Sequence, residues 1–110
     1  MRTAFLAAAL AALSSPALAG PRLPAPGLYC PVGLDVPPIL VDADGGMGID
    51  LLDCSGVRLS RGRARAAACF ANGDAQVPLD VDLVVRRDGT LRHDGVTFRL
   101  YTGPRPCPAP

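Results

Sequence analysis

The chain has 110 residues, and its charged side chains are all Arg or Asp, eleven and ten of them, which gives a formal net charge of +1 with its one histidine neutral. This balance excludes the strongly basic surface that is typical of nucleic-acid-binding proteins. The absence of Lys and Glu removes two good helix formers.

Residues 1–19 have the three-part layout of a secretory signal peptide. Arg2 precedes an uninterrupted apolar run from Ala4 to Leu13, and small residues follow up to Ala19, after which we expect cleavage. The apolar run is too short to cross a bilayer as a mature helix, so no transmembrane segment is expected after cleavage. These features predict export, to the bacterial periplasm or, as an alternative, to the extracellular space.

Residues 20–110 are predicted to form a single small domain with Pro-rich ends at 20–27 and 102–110. A core of this size is marginal by itself. An even number of cysteines in a small exported chain indicates two disulfides. A zinc site is disfavoured because the chain has no C-x-x-C pair and only one histidine, so no cofactor is expected. The four cysteines are Cys30, Cys54, Cys69 and Cys107.

Alternating apolar and polar residues predict an all-β fold, an antiparallel meander that closes into a small barrel or sandwich. The clearest period-two pattern is "VPLDVDLVVR" at 77–86. By propensity alone, "ARAAACFA" at 64–71 also fits a short helix, but the turn signal beside it favours a strand. The predicted strands are 28–32, 38–42, 49–60, 63–71, 74–86, 90–93 and 96–101.

Four short turns set the register between the later strands. Asn72-Gly73, Arg61-Gly62 and Asp94-Gly95 suit two-residue hairpins, and Arg87-Asp88-Gly89 suits a three-residue one. The resulting pairs are apolar with apolar on the inner face, and Arg65 and Arg63 lie opposite Asp80 and Asp82 on the outer face. The inner pairs are Val57 with Ala66, Leu59 with Ala64, Ala64 with Val81, Ala66 with Leu79, Ala68 with Val77, Phe70 with Ala75, Val85 with Leu91, Leu91 with Phe98, and His93 with Val96.

The same register predicts the disulfides. Continued past Gly56, it brings Cys54 opposite Cys69, close enough to bridge, and leaves Cys30 for Cys107. If residues 57–71 formed one continuous strand instead, Cys54 and Cys69 would lie far apart. The alternative pairing of Cys30 with Cys54 and Cys69 with Cys107 therefore stays open.

The segment "DADGGMGIDLLD" resembles a twelve-residue calcium loop in the spacing of its carboxylates. The pattern fails at its sixth position, where Met47 replaces the required Gly, and "VPPILV" before it cannot be an entering helix. A turn between two strands is the favoured interpretation, and calcium binding is the alternative. The candidate ligands are Asp42, Asp44, Asp50 and Asp53.

His93 beside Asp94 suggests a general base, because a carboxylate next to imidazole is half of such an arrangement. Adjacent strand residues point to opposite faces, however, and no nucleophile motif accompanies the pair. A small hydrolase using His93 is therefore the least favoured function.

The remaining candidates are arginines that the meander gathers toward one end of the sheet, where they can bind carboxylates or phosphates bidentately. A solvated rim that keeps edge strands apart is the competing interpretation. We predict a monomeric, non-catalytic binding or interaction module, inhibitor-like or associated with the envelope, whose partner is a protein or an anionic envelope ligand. The candidate ligand-binding residues are Arg58, Arg61, Arg86, Arg87 and Arg99.

Overall fold

A computed structural model describes residues 23–110, and they form ten β-strands and no α-helix. The predicted signal peptide and its cleavage point lie outside the described residues. The strands are β1 (Gly27–Pro31), β2 (Ile39–Val41), β3 (Met47–Ile49), β4 (Leu52–Cys54), β5 (Arg58–Ser60), β6 (Arg63–Phe70), β7 (Gln76–Asp82), β8 (Val84–Val85), β9 (Leu91–His93) and β10 (Val96–Tyr101).

The strands form one curled antiparallel sheet, a half-barrel, so the predicted all-β meander is confirmed. The strand order is β5, β6, β4, β3, β2, β1, β10, β9, β8. β7 pairs with β6 and β8 pairs with β9, so the nearly continuous segment 76–85 connects β6, near one end of this order, to β9, near the other. Only Leu83 separates the two strands, and its N–H donates to the carbonyl of Gly62 at 2.9 Å.

The core lies on the concave face of the sheet, where every second residue of each strand points inward. Its largest fully buried side chains are Tyr29, Ile39, Ile49, Leu91 and Phe98. β6 contributes only Ala64 and Ala66 together with Cys69. This alternation of buried small residues shows why "ARAAACFA" forms a strand despite its helix propensity.

Both favoured disulfides are present, Cys54 with Cys69 and Cys30 with Cys107, with Cα atoms 4.1 and 5.7 Å apart. Cys54 and Cys69 are direct partners in the β4–β6 ladder, as the register predicted. The second bridge ties β1 to the Pro-rich tail. Two disulfides are typical of proteins that fold in an oxidising environment, outside the reducing cytosol.

Three of the four predicted turns are confirmed. Arg61-Gly62 and Asp94-Gly95 have positive φ at both positions, as type I′ hairpins require. In the β8–β9 hairpin, Gly89 has φ +90° and Arg86 N–H donates to the Thr90 carbonyl at 2.9 Å, which makes a three-residue loop.

The fourth turn was predicted wrongly. The N–H of Ala71 donates to the carbonyl of Ala75 at 2.9 Å, so the loop spans three residues, Asn72 to Asp74, and not two. A bulge on β6 compensates: Ala67 and Ala68 together oppose one residue, Pro78, between the pairs Ala66–Leu79 and Cys69–Val77. Proline has no N–H for the ladder, which makes this the natural place for an irregularity.

Because the two errors cancel, the predicted pairs from residue 63 to 66 are correct, whereas the pairs Ala68–Val77 and Phe70–Ala75 are wrong. Cys69 pairs with Val77 and Phe70 with Gln76 instead.

The predicted strand 49–60 was also wrong, because it contains a hairpin. Asp50 and Leu51 both have positive φ and form a two-residue turn between β3 and β4, with Ile49 paired to Leu52. The chain then leaves the ladder after Cys54 and rejoins it at Arg58. Within residues 23–110, no helix has the length and apolar character of a membrane crossing.

Candidate functional site

Three of the five candidate arginines line one cavity of about 480 Å³ beside the β8–β9 hairpin. Arg86 and Arg87 come from the hairpin and Arg99 from β10, where it pairs with Cys30 of β1. All three side chains are exposed. The other walls are Leu23, Pro24, Ala25, Tyr29, Val85, Asp88, Gly89, Thr90 and Leu100.

The hairpin that carries Arg86 and Arg87 is held by its own carboxylate. Asp88 accepts hydrogen bonds from the backbone N–H of Thr90 at 2.9 Å and from its hydroxyl at 2.7 Å. These hydrogen bonds, with a smaller contribution from the charge of Arg86, hold the pKa of Asp88 below its usual range. Asp88 therefore fixes the loop from which Arg86 and Arg87 extend.

The ion pairs of the described residues leave these three arginines for other partners. Arg63 and Arg65 both contact Asp80, and the remaining two ion pairs belong to His93. None of these pairs, all within residues 23–110, includes Arg86, Arg87 or Arg99. Three arginines thus line the cavity, and a guanidinium group can form two parallel bonds to a carboxylate or phosphate.

Tyr29 lines the cavity and is only 1% exposed. Its hydroxyl donates to the carbonyl of Ala25 at 2.6 Å and so fixes the Pro-rich segment before β1. Burial raises the pKa of Tyr29 above its usual value. The phenol stays neutral and keeps donating across the physiological pH range.

Arg61 and Arg58 do not join this group. Arg61 lies in the β5–β6 turn and lines a separate, smaller cavity of about 160 Å³ that shares Val85 with the first. Arg58 is the ladder partner of Arg65, as predicted, and lies near Asp80. The structure therefore splits the predicted arginine rim into three places.

One predicted charge pair is corrected. Arg63 and Asp82 are ladder partners, but the guanidinium of Arg63 reaches diagonally to Asp80 at 3.0 Å, which Arg65 also contacts at 3.2 Å. Asp82 is engaged elsewhere, because one of its carboxylate oxygens accepts the N–H of Asp94 at 2.8 Å. The arginines lower the pKa of Asp80, mainly through the hydrogen bond from Arg63.

His93 forms a second cluster. It is 5% exposed, and its two ring nitrogens face oxygen atoms from two other parts of the sheet. Nδ1 lies 2.7 Å from the carbonyl oxygen of Asp82, and Nε2 lies 3.0 Å from both carboxylate oxygens of Asp50. Both neighbours are acceptors, so both nitrogens donate only when the ring is an imidazolium.

The charge state of His93 reflects opposing effects. Burial lowers its pKa, but the hydrogen bonds to Asp82 and Asp50 and the negative charges of those two residues outweigh burial. The pKa of His93 therefore lies above its ordinary value. A hydrolase that used His93 as a base would first have to break one of these two contacts, because both nitrogens are occupied.

The four candidate calcium ligands are divided by β3. Asp42 and Asp44 lie in the β2–β3 turn, where Asp44 accepts the N–H of Gly46 at 3.2 Å. Asp50 lies beyond the other end of β3 and contacts His93, and Asp53 lies in β4 opposite Gly48. Within the part of the chain that the structure describes, no three His, Cys, Asp or Glu side chains are placed to hold a metal ion.

Sequence reasoning missed the other walls of the arginine cavity. Tyr29 and Thr90 are distant in sequence from one another, and the lead-in residues Leu23 to Ala25 read only as an irregular Pro-rich segment. Their approach depends on β1 lying beside β10, a pairing of strands nearly seventy positions apart that no turn signal indicates. The residues carry no other signal that would have found them.

Comparisons with known proteins do not identify a family for this chain. No protein-family model, no curated protein and no solved structure matches the chain.

Proposed function

We propose that this protein is an exported, non-catalytic binding module that holds an anionic group, a carboxylate or a phosphate, among Arg86, Arg87 and Arg99. The observation that supports this function best is the cavity of about 480 Å³ that these three arginines line. A cavity of that size is in the range of small-molecule sites.

Arg86, Arg87 and Arg99 line one cavity, and their like charges favour an anion bound there. Guanidinium groups are weakly hydrated and planar, so they bind carboxylate and phosphate oxygens with fixed geometry. Asp88 cannot neutralise all three, and its own oxygen is already used by Thr90. An external anion is therefore the partner that this charge arrangement favours.

The scaffold suits binding because it is ordered before the ligand arrives. One disulfide joins adjacent strands and the other ties β1 to the tail, and a site that is already in place lowers the ordering cost of binding. Export to the periplasm, as the sequence of residues 1–19 predicts, supplies the oxidising compartment that these bridges need.

A nuclear magnetic resonance titration of the ¹⁵N-labelled exported protein with acetate and with inorganic phosphate tests this function. We expect saturable amide shifts in residues 85–90 and 99–100. The matched control is Arg58→Gln, which removes the same charge outside the cavity and should leave the titration unchanged, whereas Arg99→Gln should weaken it. Shifts that are spread evenly over all arginines, or none at all, would overturn the proposal.

A further inference from the structure

A second cavity, of about 190 Å³, lies beside the first. Its apolar walls come from β2, β3, β5 and the residue before β5, namely Val41, Met47, Leu59 and Val57. Val41 and Met47 are buried core residues, and Val57 and Leu59 pack against the core. This cavity therefore offers an apolar ligand group a route toward the hydrophobic core.

One short segment separates the two cavities. Leu23 and Pro24 contribute to the walls of both, and the hydrogen bond from Tyr29 to Ala25 holds the chain just after them. Leu23 is 72% exposed although it is a large apolar residue. Leu23 and Pro24 are therefore the part of the wall that the three-arginine cavity and the apolar cavity share.

Resting on the proposed function, we infer that the two cavities are the two ends of one site for an amphiphile, a ligand with an anionic head and a single unbranched apolar chain. The head lies among Arg86, Arg87 and Arg99. The chain passes the Leu23–Pro24 segment and enters the cavity formed by Val41, Met47, Val57 and Leu59.

Charge fixes the direction of the ligand. Asp42, at the β2–β3 turn, lines the apolar cavity, whereas the three arginines line the other. An anionic head would be repelled at the Asp42 end and attracted at the arginine end. An apolar chain without an anionic head would leave the arginine cavity unused.

Titration with acetate, butyrate, hexanoate and octanoate, followed by the same amide shifts, tests the inference. Each methylene that becomes buried should tighten binding by about fourfold. The shifts should extend from residues 85–90 to residues 41–47 and 57–59 as the chain grows. Neutral octanamide should bind more weakly than octanoate, because it lacks the charge that the arginines attract.

The outcomes separate the two proposals. If all four carboxylates bind with the same affinity at the arginines, the amphiphile is wrong and the anion site stands. If none of the four carboxylates shifts residues 85–90 and inorganic phosphate does not shift them either, both proposals are wrong. If octanamide binds as tightly as octanoate, the anionic head is not recognised and the amphiphile is wrong.

A variant makes the test sharper. Leu59→Trp should fill the apolar cavity and abolish the gain from hexanoate to octanoate while acetate binding is unchanged. Phe70→Trp adds the same ring at an exposed position outside both cavities and should keep the gain. Leu59→Gln serves if the larger ring prevents folding, and a gain that persists in a folded Leu59 variant would overturn the inference.

Discussion

Nε2 of His93 lies 3.0 Å from both carboxylate oxygens of Asp50, a residue 43 positions earlier in the chain. The other ring nitrogen of His93 contacts the backbone at Asp82, where β7 ends. One imidazolium thus joins β9 to the β3–β4 turn and to the junction of β7 and β8. β3 and β4 lie far from β9 in the strand order, so the contact of His93 with Asp50 joins parts of the sheet that share no ladder.

We predict that the protein is most stable when His93 is protonated. Its folded-state pKa is raised above the unfolded value, so its contribution is fully present below the unfolded pKa of about 6.5 and is lost as the pH rises through the folded pKa. Urea unfolding at pH 6 and pH 9 should show a lower free energy of unfolding at pH 9. The sequence has one histidine, so His93→Leu should remove most of this difference and cost about 1–2 kcal/mol at pH 6. An equal pH dependence in both proteins would contradict the account.

Asp50→Asn should lower the pKa of His93, because the amide keeps an acceptor for Nε2 but removes the negative charge. Asp53→Asn is the matched control, since Asp53 is an exposed aspartate on the neighbouring strand and faces Gly48 rather than His93. The resonances of the one imidazole, followed by nuclear magnetic resonance from pH 5 to pH 9, report the pKa directly. A similar shift in both variants would mean that Asp50 has no special role.

Leu51→Gly should stabilise the protein by about 1 kcal/mol, because Leu51 has φ +66° in the β3–β4 turn and is 75% exposed. Glycine adopts this conformation without the steric cost of a Cβ atom. Leu34→Gly is the comparison, since Leu34 is also exposed but does not have positive φ, and it should bring no gain. Chemical denaturation measures both, and a loss of stability in Leu51→Gly would show that the leucine side chain has a packing role.

Tyr29→Phe should cost about 1 kcal/mol, because it removes the hydrogen bond to the carbonyl of Ala25 from a buried ring. It should also speed hydrogen exchange and proteolysis near Ala25. Tyr101→Phe removes a comparable bond, to the carbonyl of Pro104 at 2.9 Å, but in the exposed tail, and should cost less. Equal costs would argue against a fixed lead-in segment.

The later half of the fold could be predicted from sequence because its turns are short and marked by glycine. Arg61-Gly62, Asp94-Gly95 and Gly89 each fix a register locally, and the Cys54–Cys69 bridge follows from the first of them. The predicted register from Arg63 to Ala66 was also correct, but only because two errors cancel. The predicted loop was one residue too short, and the bulge on β6 was not predicted.

The rest of the fold could not be predicted from the sequence because the chain departs there from the local preferences of its residues. Asp50-Leu51 is a turn that needs left-handed backbone at a leucine, so no residue preference announces it. The contacts of His93 with Asp50 and of β1 with β10 depend on how the whole sheet curls. The sequence named five arginines as candidates, but only the three-dimensional path of β10 shows that Arg99 lines the same cavity as Arg86 and Arg87 while Arg58 and Arg61 do not.

The most direct test of the central claim compares two double variants with the same change in net charge. Arg86→Gln with Arg99→Gln removes two arginines of the cavity, and Arg58→Gln with Arg61→Gln removes two outside it. We predict that the first pair raises the dissociation constant for inorganic phosphate by at least about tenfold, because charged hydrogen bonds are lost. The second pair should leave that constant nearly unchanged. Equal weakening by both pairs would show that the protein attracts anions only through its general charge and would contradict a site at Arg86, Arg87 and Arg99.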